Sequence, residues 1–207
     1  MLKLLVVSSE EQQEELLAKN IMASAFVDWA QYFPATFEQV YDAIFYLSMD
    51  DETNLPQSDA LVFLNHLAFT CDQLPANYIR VNAWPGFINN NLFELAAPAA
   101  LKEIAGAIMD KLAWNYVWAP DEPGLISGKI ISMIINEAYY ALQEKVSTKD
   151  EIDLAIKLGT NYPYGPFEWS RKIGLKNIYE VLDALGKKDD RYTICEMLKQ
   201  EAIAVNP

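Results

Sequence analysis

Lys157-Leu158-Gly159-Thr160-Asn161-Tyr162-Pro163-Tyr164-Gly165-Pro166-Phe167-Glu168-Trp169 decides how the second half of this 207-residue chain is read. Just upstream, Ser147 and Thr148 each have an acid three residues on, Asp150 and Glu151. This doubled capping-box signal starts a helix. The helix is expected to stop at Gly159, the residue type that a helix C-terminus favours. Pro166 suits the first turn of another helix, because its missing N–H would have no partner there. Further upstream, Asp121-Glu122-Pro123-Gly124 reads as a turn that opens a helix running to about Lys145. Apolar residues recur at Ile126, Ile130, Ile134, Ala138 and Leu142, with a second row at Ile131, Ile135 and Tyr139. A helix so widely apolar is expected to be buried on several sides. Residues 123–207 therefore read as a mainly helical domain.

The front half has a different texture. Leu2–Val7 reads as an apolar strand ending in Ser8-Ser9, a helix cap, and Glu10–Asn20 carries acids in its first turn as a helix start should. Ser24–Trp29, Ala43–Leu47, Ala60–Asn65 and Tyr78–Trp84 read as further strands, with a short helix over Phe37–Tyr41. Ala99–Leu112 reads as a helix and Tyr116–Ala119 as one more strand. Strands separated by helical segments predict parallel pairing with crossovers, hence an α/β layer over residues 1–122.

Composition sets the outer limits. A 207-residue chain buries roughly 70% of its unfolded surface, and 52% hydrophobic content argues for a packed globule. Cys71 and Cys195 form no metal-like cluster and read as reduced thiols. The start, Met1–Val7, is too short and too soon followed by acids for a signal peptide. Lys129, Asn136 and Glu137 interrupt the longest apolar run before it could span a membrane. The expectation is a cytoplasmic protein with no membrane partner. Residues 1–79 hold twelve carboxylates against two lysines, a balance of −10, whereas the remainder carries seventeen acids against fourteen bases, or −3. That field excludes nucleic acid as a partner and is unhelpful for a nucleotide diphosphate. No Walker loop, metal-ligand spacing or Gly-x-Ser-x-Gly elbow is present. Trp114, Trp118, Trp169, Tyr162 and Tyr164 are expected mostly in packing, although they could line an acyl or adenine pocket.

Pro123-Gly124-Leu125-Ile126, Asn136-Glu137-Ala138, Glu151-Ile152-Asp153, Gly159 through Trp169 and Ile173-Gly174-Leu175 occur in an order that resembles the C-terminal domain of 3-hydroxyacyl-CoA dehydrogenases. The resemblance is strong over about 123–195, weaker over 78–122 and only architectural before that. It implies an α/β plus all-α chain: a reduced Rossmann-like domain over 1–122, then a helical domain over 123–207. In that family the helical part closes over the acyl-CoA site and supplies a homodimer contact. The family reaction moves a hydride between a 3-hydroxyacyl-CoA and NAD. A histidine takes the hydroxyl proton, a glutamate orients it, and an asparagine and a serine hold the substrate oxygen.

Carried over residue by residue, the resemblance keeps the glutamate as Glu94, in Leu92-Phe93-Glu94-Leu95. Twelve residues earlier, in place of the histidine, stands Asn82, which cannot exchange a proton near neutral pH. Gly128 stands in place of the asparagine, followed by Lys129 where arginine is usual, and the Asn-Thr-Ser turn becomes Asn65-His66-Leu67. His66, the sole histidine, would have to reach Glu94 from a different strand end. A dinucleotide fold needs glycines after its first strand, yet here the stretch is Val7-Ser8-Ser9-Glu10-Glu11-Gln12 and no glycine precedes Gly86. Asp28 ends the second strand roughly where the family's ribose-binding acid lies.

The residues therefore predict no bound cofactor, although NAD serves the family. They point to a dimeric scaffold, or a binder of an acyl-CoA or partner, in acyl-CoA metabolism. The alternatives are an active NAD-dependent dehydrogenase using Glu94 with an unusual partner, and a chain that pairs with a homologous dehydrogenase bearing an intact nucleotide domain.

Overall fold

The computed structural model describes residues 1–34, 39–48, 55 and 57–204. The chain divides into two units, Met1–Leu125 and Ile126–Pro207.

The first unit is built on a sheet whose central strands are apolar on both faces. β1 (Leu2–Val7) sends Leu4 and Val6 into one core layer, and Leu5 and Val7 into the other. A strand sandwiched in this way reads as a near-continuous apolar run, as β1 does from Leu4 to Val7. α1 (Glu10–Ala18) leads to β2 (Ala25–Ala30), which pairs parallel to β1. β3 (Ala43–Tyr46), β4 (Leu61–Leu64) and β5 (Tyr78–Val81) extend the sheet on the other side of β1, all parallel. β6 (Phe93–Ala96) runs antiparallel to β5, and α2 (Ala99–Lys111) then carries the chain to β7 (Tyr116–Trp118), parallel to β6. The strand order is β2-β1-β3-β4-β5-β6-β7.

The β5–β6 reversal departs from the expected run of parallel pairs. Only eleven residues, 82–92, join these strands, and among them there is no helix. A parallel crossover needs a dozen or more residues and usually a helix, so the chain turns straight back. The helical cover is also one-sided among the described residues. Leu16 of α1 and Ala105, Ile108 and Met109 of α2 join the same core layer as Leu4, Val6, Phe45 and Phe63. The opposite layer is closed by loop residues such as Phe33, Tyr41, Leu55 and Leu74. The short helix expected over 37–41 lies partly outside the described residues, and Gln39–Tyr41 are not helical.

The second unit holds five α-helices among the described residues: α3 (Ser127–Gln143), α4 (Lys149–Thr160), α5 (Pro166–Ile173), α6 (Leu175–Gly186) and α7 (Glu196–Ala204). α3 begins later than the sequence suggests, because Gly124 and Leu125 both take left-handed backbone before it (φ 84° and 51°). Its second apolar row, Ile131, Ile135 and Tyr139, is buried, but Ile126 and Ile130 at the head of the first row are exposed. α4 runs through Gly159 to Thr160, and the left-handed C-cap is Asn161 (φ 57°). Asparagine adopts this conformation more readily than other side chains, so the stop signal was the asparagine and not the glycine.

The resembling motifs hold this unit together. The side chain of Asn136, buried on α3, donates to Thr193 O (2.9 Å) and accepts from Cys195 N–H (2.9 Å), fixing the segment that leads into α7. Asp153 of α4 accepts from the N–H groups of Phe167 (2.7 Å) and Glu168 (3.1 Å), capping α5 from a neighbouring helix. Glu168 completes the corner by accepting from Gly165 N–H (2.8 Å) and from Lys157 Nζ (2.5 Å). No helix among the described residues is long and apolar enough to cross a membrane.

Candidate functional site

In an open α/β sheet, ligands sit beyond the C-terminal ends of the parallel strands, where neighbouring connections leave in opposite directions. Here that point lies between β1 and β3, since the chain steps from β1 outward to β2 and then returns to the other side. Buried polar side chains line this edge of the first unit: Ser8, Gln12, Asn65, His66, Asn82 and Glu94.

After β1 the chain turns through Ser8-Ser9 into α1. Ser9 is the N-cap, and its Oγ accepts from Gln12 N–H (3.3 Å) while Gln12 Oε1 accepts from Ser9 N–H (3.1 Å). Two donors at the helix start, Ser9 N–H and Gln12 N–H, are thus satisfied by the chain's own capping box. The Gln12 amide nitrogen then donates to Leu47 O beyond β3 (2.9 Å) and to Ala83 O beyond β5 (2.8 Å). Asn65, beyond β4, donates to the same Leu47 O (3.1 Å) and accepts from Ala83 N–H (3.0 Å). One turn further along α1, the buried Glu15 carboxylate accepts from Gly86 N–H (2.7 Å) and Asn89 N–H (3.2 Å).

These residues do not fit the diphosphate of a dinucleotide. The turn after β1 carries side chains where a bare backbone is needed, Glu10 and Glu11 occupy the first helical turn, and the carbonyls of Leu47 and Ala83 are directed at Gln12. Asp28, on the edge strand β2, is exposed and accepts from Tyr41 OH (2.9 Å) and from Gln39 Nε2.

Asn82 and Glu94 are brought together. The register Arg80 to Ala96 and Val81 to Leu95 places them next in line across β5 and β6, and Asn82 N–H donates to Glu94 O (3.0 Å). Both are buried, and Asn82 Oδ1 accepts from Trp84 N–H (3.3 Å), closing a local turn. His66 is buried and stacks on Phe69 with ring centres 3.8 Å apart. Gly128 lies in the second unit, in the first turn of α3, where its carbonyl accepts from Ser132 Oγ (2.7 Å). Lys129, beside it, places its ammonium 5.5 Å from the Tyr192 ring centre.

The sequence placed Gln12 and Asn65 beside the site without giving them a role, and it did not single out Arg80. The capping pattern Ser9-x-x-Gln12 was a signal for the first. Arg80, on β5, has no exposed side-chain surface; its guanidinium donates to Leu67 O (2.9 Å), Glu122 O (3.1 Å) and Asp121 Oδ1 (2.8 Å). Asp121 also accepts from Cys71 N–H (2.9 Å to Oδ2). Burial alone would raise the Asp121 carboxyl, but the hydrogen bonds from Cys71 and Arg80 outweigh it and hold the group below the ordinary aspartate value. Among the described residues no group of three or more His, Cys, Asp or Glu side chains is placed to hold a metal.

Comparison with known proteins bears out the resemblance. Residues 124–204 match the family model for the 3-hydroxyacyl-CoA dehydrogenase C-terminal domain. A 3-hydroxyadipyl-CoA dehydrogenase of Escherichia coli (strain K12) is 41% identical over 85 residues, covering 40% of this chain and 18% of that protein. A 3-hydroxybutyryl-CoA dehydrogenase of Bradyrhizobium diazoefficiens is 34% identical over 106 residues, covering 50% of this chain and 36% of that protein. The matched stretches thus span well under half of these relatives' own length. The crystal structure of an (S)-3-hydroxybutyryl-CoA dehydrogenase from Ralstonia eutropha superposes with a TM-score of 0.67, over 98% of this chain and 94% of that one, at 16% identity. A 3-hydroxybutyryl-CoA dehydrogenase structure from Escherichia coli K12 gives 0.62 at 25% identity, over 95% of this chain and 44% of that one.

Proposed function

Residues 124–204 belong to the 3-hydroxyacyl-CoA dehydrogenase family, on a chain that keeps the α/β plus helical fold, and from this premise we propose a protein of acyl-CoA metabolism that no longer performs the redox step. It acts as a dimeric scaffold whose ligand is an acyl-CoA or a partner protein. The observation that carries the reading is Asn82 opposite Glu94. The glutamate's neighbour across the strand is an amide with no titration near neutral pH, and its oxygen is already engaged by Trp84. The ill-fitting dinucleotide crevice points the same way. The motifs that match the family, centred on Asn136, Asp153, Gly165 and Glu168, serve packing and capping, so their retention requires no chemistry. Self-association through the helical unit is supported by its exposed Ile130, Leu154 and Leu158.

The test is acetoacetyl-CoA-dependent oxidation of NADH by the purified chain, run beside light scattering for molar mass. No turnover above background and a mass of two chains are expected. Turnover abolished by Glu94→Gln would establish a working dehydrogenase, and a mass of one chain would remove the dimer.

A second reading, catalysis by Glu94 with His66, is favoured by one observation. β4, β5 and β6 are neighbours, and His66 follows β4 at the same end of the sheet at which Glu94 faces Asn82. Under it, His66→Gln would abolish the turnover that Glu94→Gln abolishes.

A further inference from the structure

We propose that Gln12 is a built-in occupant of the switch-point crevice: its carboxamide cross-links the ends of β1, β3 and β5 and closes the first unit to dinucleotides. The inference deepens the non-redox reading but stands on a different part of the molecule, the β1–α1 turn and not the Asn82–Glu94 pair.

In a dinucleotide-binding sheet the turn after the first strand leaves free N–H groups at a helix start, and the ligand's diphosphate joins that turn to the neighbouring strand ends. Here the same elements are joined from within. Gln12 uses its whole amide: Oε1 receives Ser9 N–H (3.1 Å), and the two hydrogens on Nε2 go to Leu47 O (2.9 Å) and Ala83 O (2.8 Å). Asn65 completes a ring, since it bonds the same Leu47 carbonyl and the N–H of the same Ala83. The turn after β1 and the ends of β3, β4 and β5 are therefore tied into one closed circuit. The Gln12 side chain at its centre is all but shielded from solvent, the residue being 2% exposed.

The chemistry of that circuit is opposite to what a dinucleotide offers. The two carbonyls directed at Gln12 accept hydrogen bonds, and a diphosphate has only acceptors. Replacing Gln12 by phosphate oxygens would leave Leu47 O and Ala83 O facing negative charge in a water-poor site. A primary amide supplies two donors and one acceptor without net charge, which is the complement of this lining. The crevice is matched to its own glutamine.

Hydrogen–deuterium exchange of the full chain tests the idea, with the unmodified protein, Gln12→Ala and Gln12→Met, each with and without NADH. Gln12→Met keeps the bulk and removes the donors, so it remains informative should the alanine variant fold poorly. In both variants, amides of Leu47–Ser48, of Ala83 and Trp84 and of 86–90 are expected to exchange about ten-fold faster or more, with the second unit unchanged. Millimolar NADH is expected to protect no segment of the unmodified protein. Protection of residues 8–13 by NADH would overturn the proposal, as would a Gln12→Met protein that exchanges like the unmodified one. NADH protection without NADH consumption would end this proposal alone, whereas consumption with acetoacetyl-CoA would also end the non-redox reading.

Discussion

Asn82 N–H donates to the carbonyl of Glu94 across β5 and β6, so a carboxylic acid and a carboxamide face each other at a buried strand end. A histidine placed at position 82 would supply an acid–base group, but it would leave untouched the Gln12 bonds to Leu47 O and Ala83 O, the proposed bar to a dinucleotide. Asn82→His is therefore expected to oxidise no NADH with acetoacetyl-CoA. It should also lose about 1 kcal/mol of stability, because Trp84 N–H loses its partner. Urea denaturation and a continuous NADH assay check both parts, and turnover in this variant would show that the cofactor finds a seat.

Two glycines of one motif should respond in opposite ways. A Cβ on Gly165 would lie 2.4 Å from both Cα and Oδ1 of Asp153, the residue that caps α5. Gly165→Ala is expected to cost about 3 kcal/mol, since backbone must move. Gly159 sits within α4 with nothing within 4 Å of an added Cβ. Gly159→Ala should stabilise by about 0.5–1 kcal/mol through helix propensity. Midpoints of urea unfolding for the pair decide the matter.

The Asp121 carboxyl is held below its ordinary value in the folded protein. A depressed carboxylate contributes stability that is fully present above the unfolded value of about 3.9 and is lost as pH falls through the folded value. Asp121→Asn is expected to lower stability at neutral pH, because Arg80 stays buried without its ion pair, and to narrow the difference from the unmodified protein below about pH 4. Thermal unfolding followed from pH 7 to pH 3 reads both effects. A difference that grows on acidification would contradict the assignment.

Burial, and then the hydrogen bond and charge of Asp121, push the Cys71 thiol up to about 12. At pH 8 such a thiol holds roughly a thousandth of the thiolate of an ordinary cysteine, so alkylation should be about three orders of magnitude slower than for glutathione. Iodoacetamide labelling read by mass spectrometry of the peptide containing Cys71 checks this, with Asp121→Asn expected to react faster. Labelling at the glutathione rate would refute it.

The strands were legible because β1, β3 and β4 are buried on both sides and spell it out as apolar runs, broken only by Lys3 near the start of β1. The helical unit was legible from capping boxes and from Pro166, signals that act within a few residues of themselves. β6 is absent from the expected strands, although the resemblance placed Glu94 in it, as four residues so soon after Asn89-Asn90-Asn91 carry little pattern of their own. The crevice-spanning bonds of Gln12 reach residues 35 and 71 positions away, and no local pattern encodes such partners. Arg80 reads as a misfit in an apolar strand until the carbonyls of Leu67 and Glu122 are beside it. Local order was thus written in the chain, while the polar chemistry of the sheet edge depended on tertiary neighbours.

The direct reversal between β5 and β6 bears on how the first unit comes to be ordered. These strands close a loop of only eleven residues, whereas pairing β1 with β3 must bridge a far longer stretch. Loop closure costs least where the intervening chain is short, so this hairpin is where native contacts can be gained with the smallest loss of chain freedom. A folding order that starts at this edge and reaches the long-range pairings around β1 later is the one that loop closure favours.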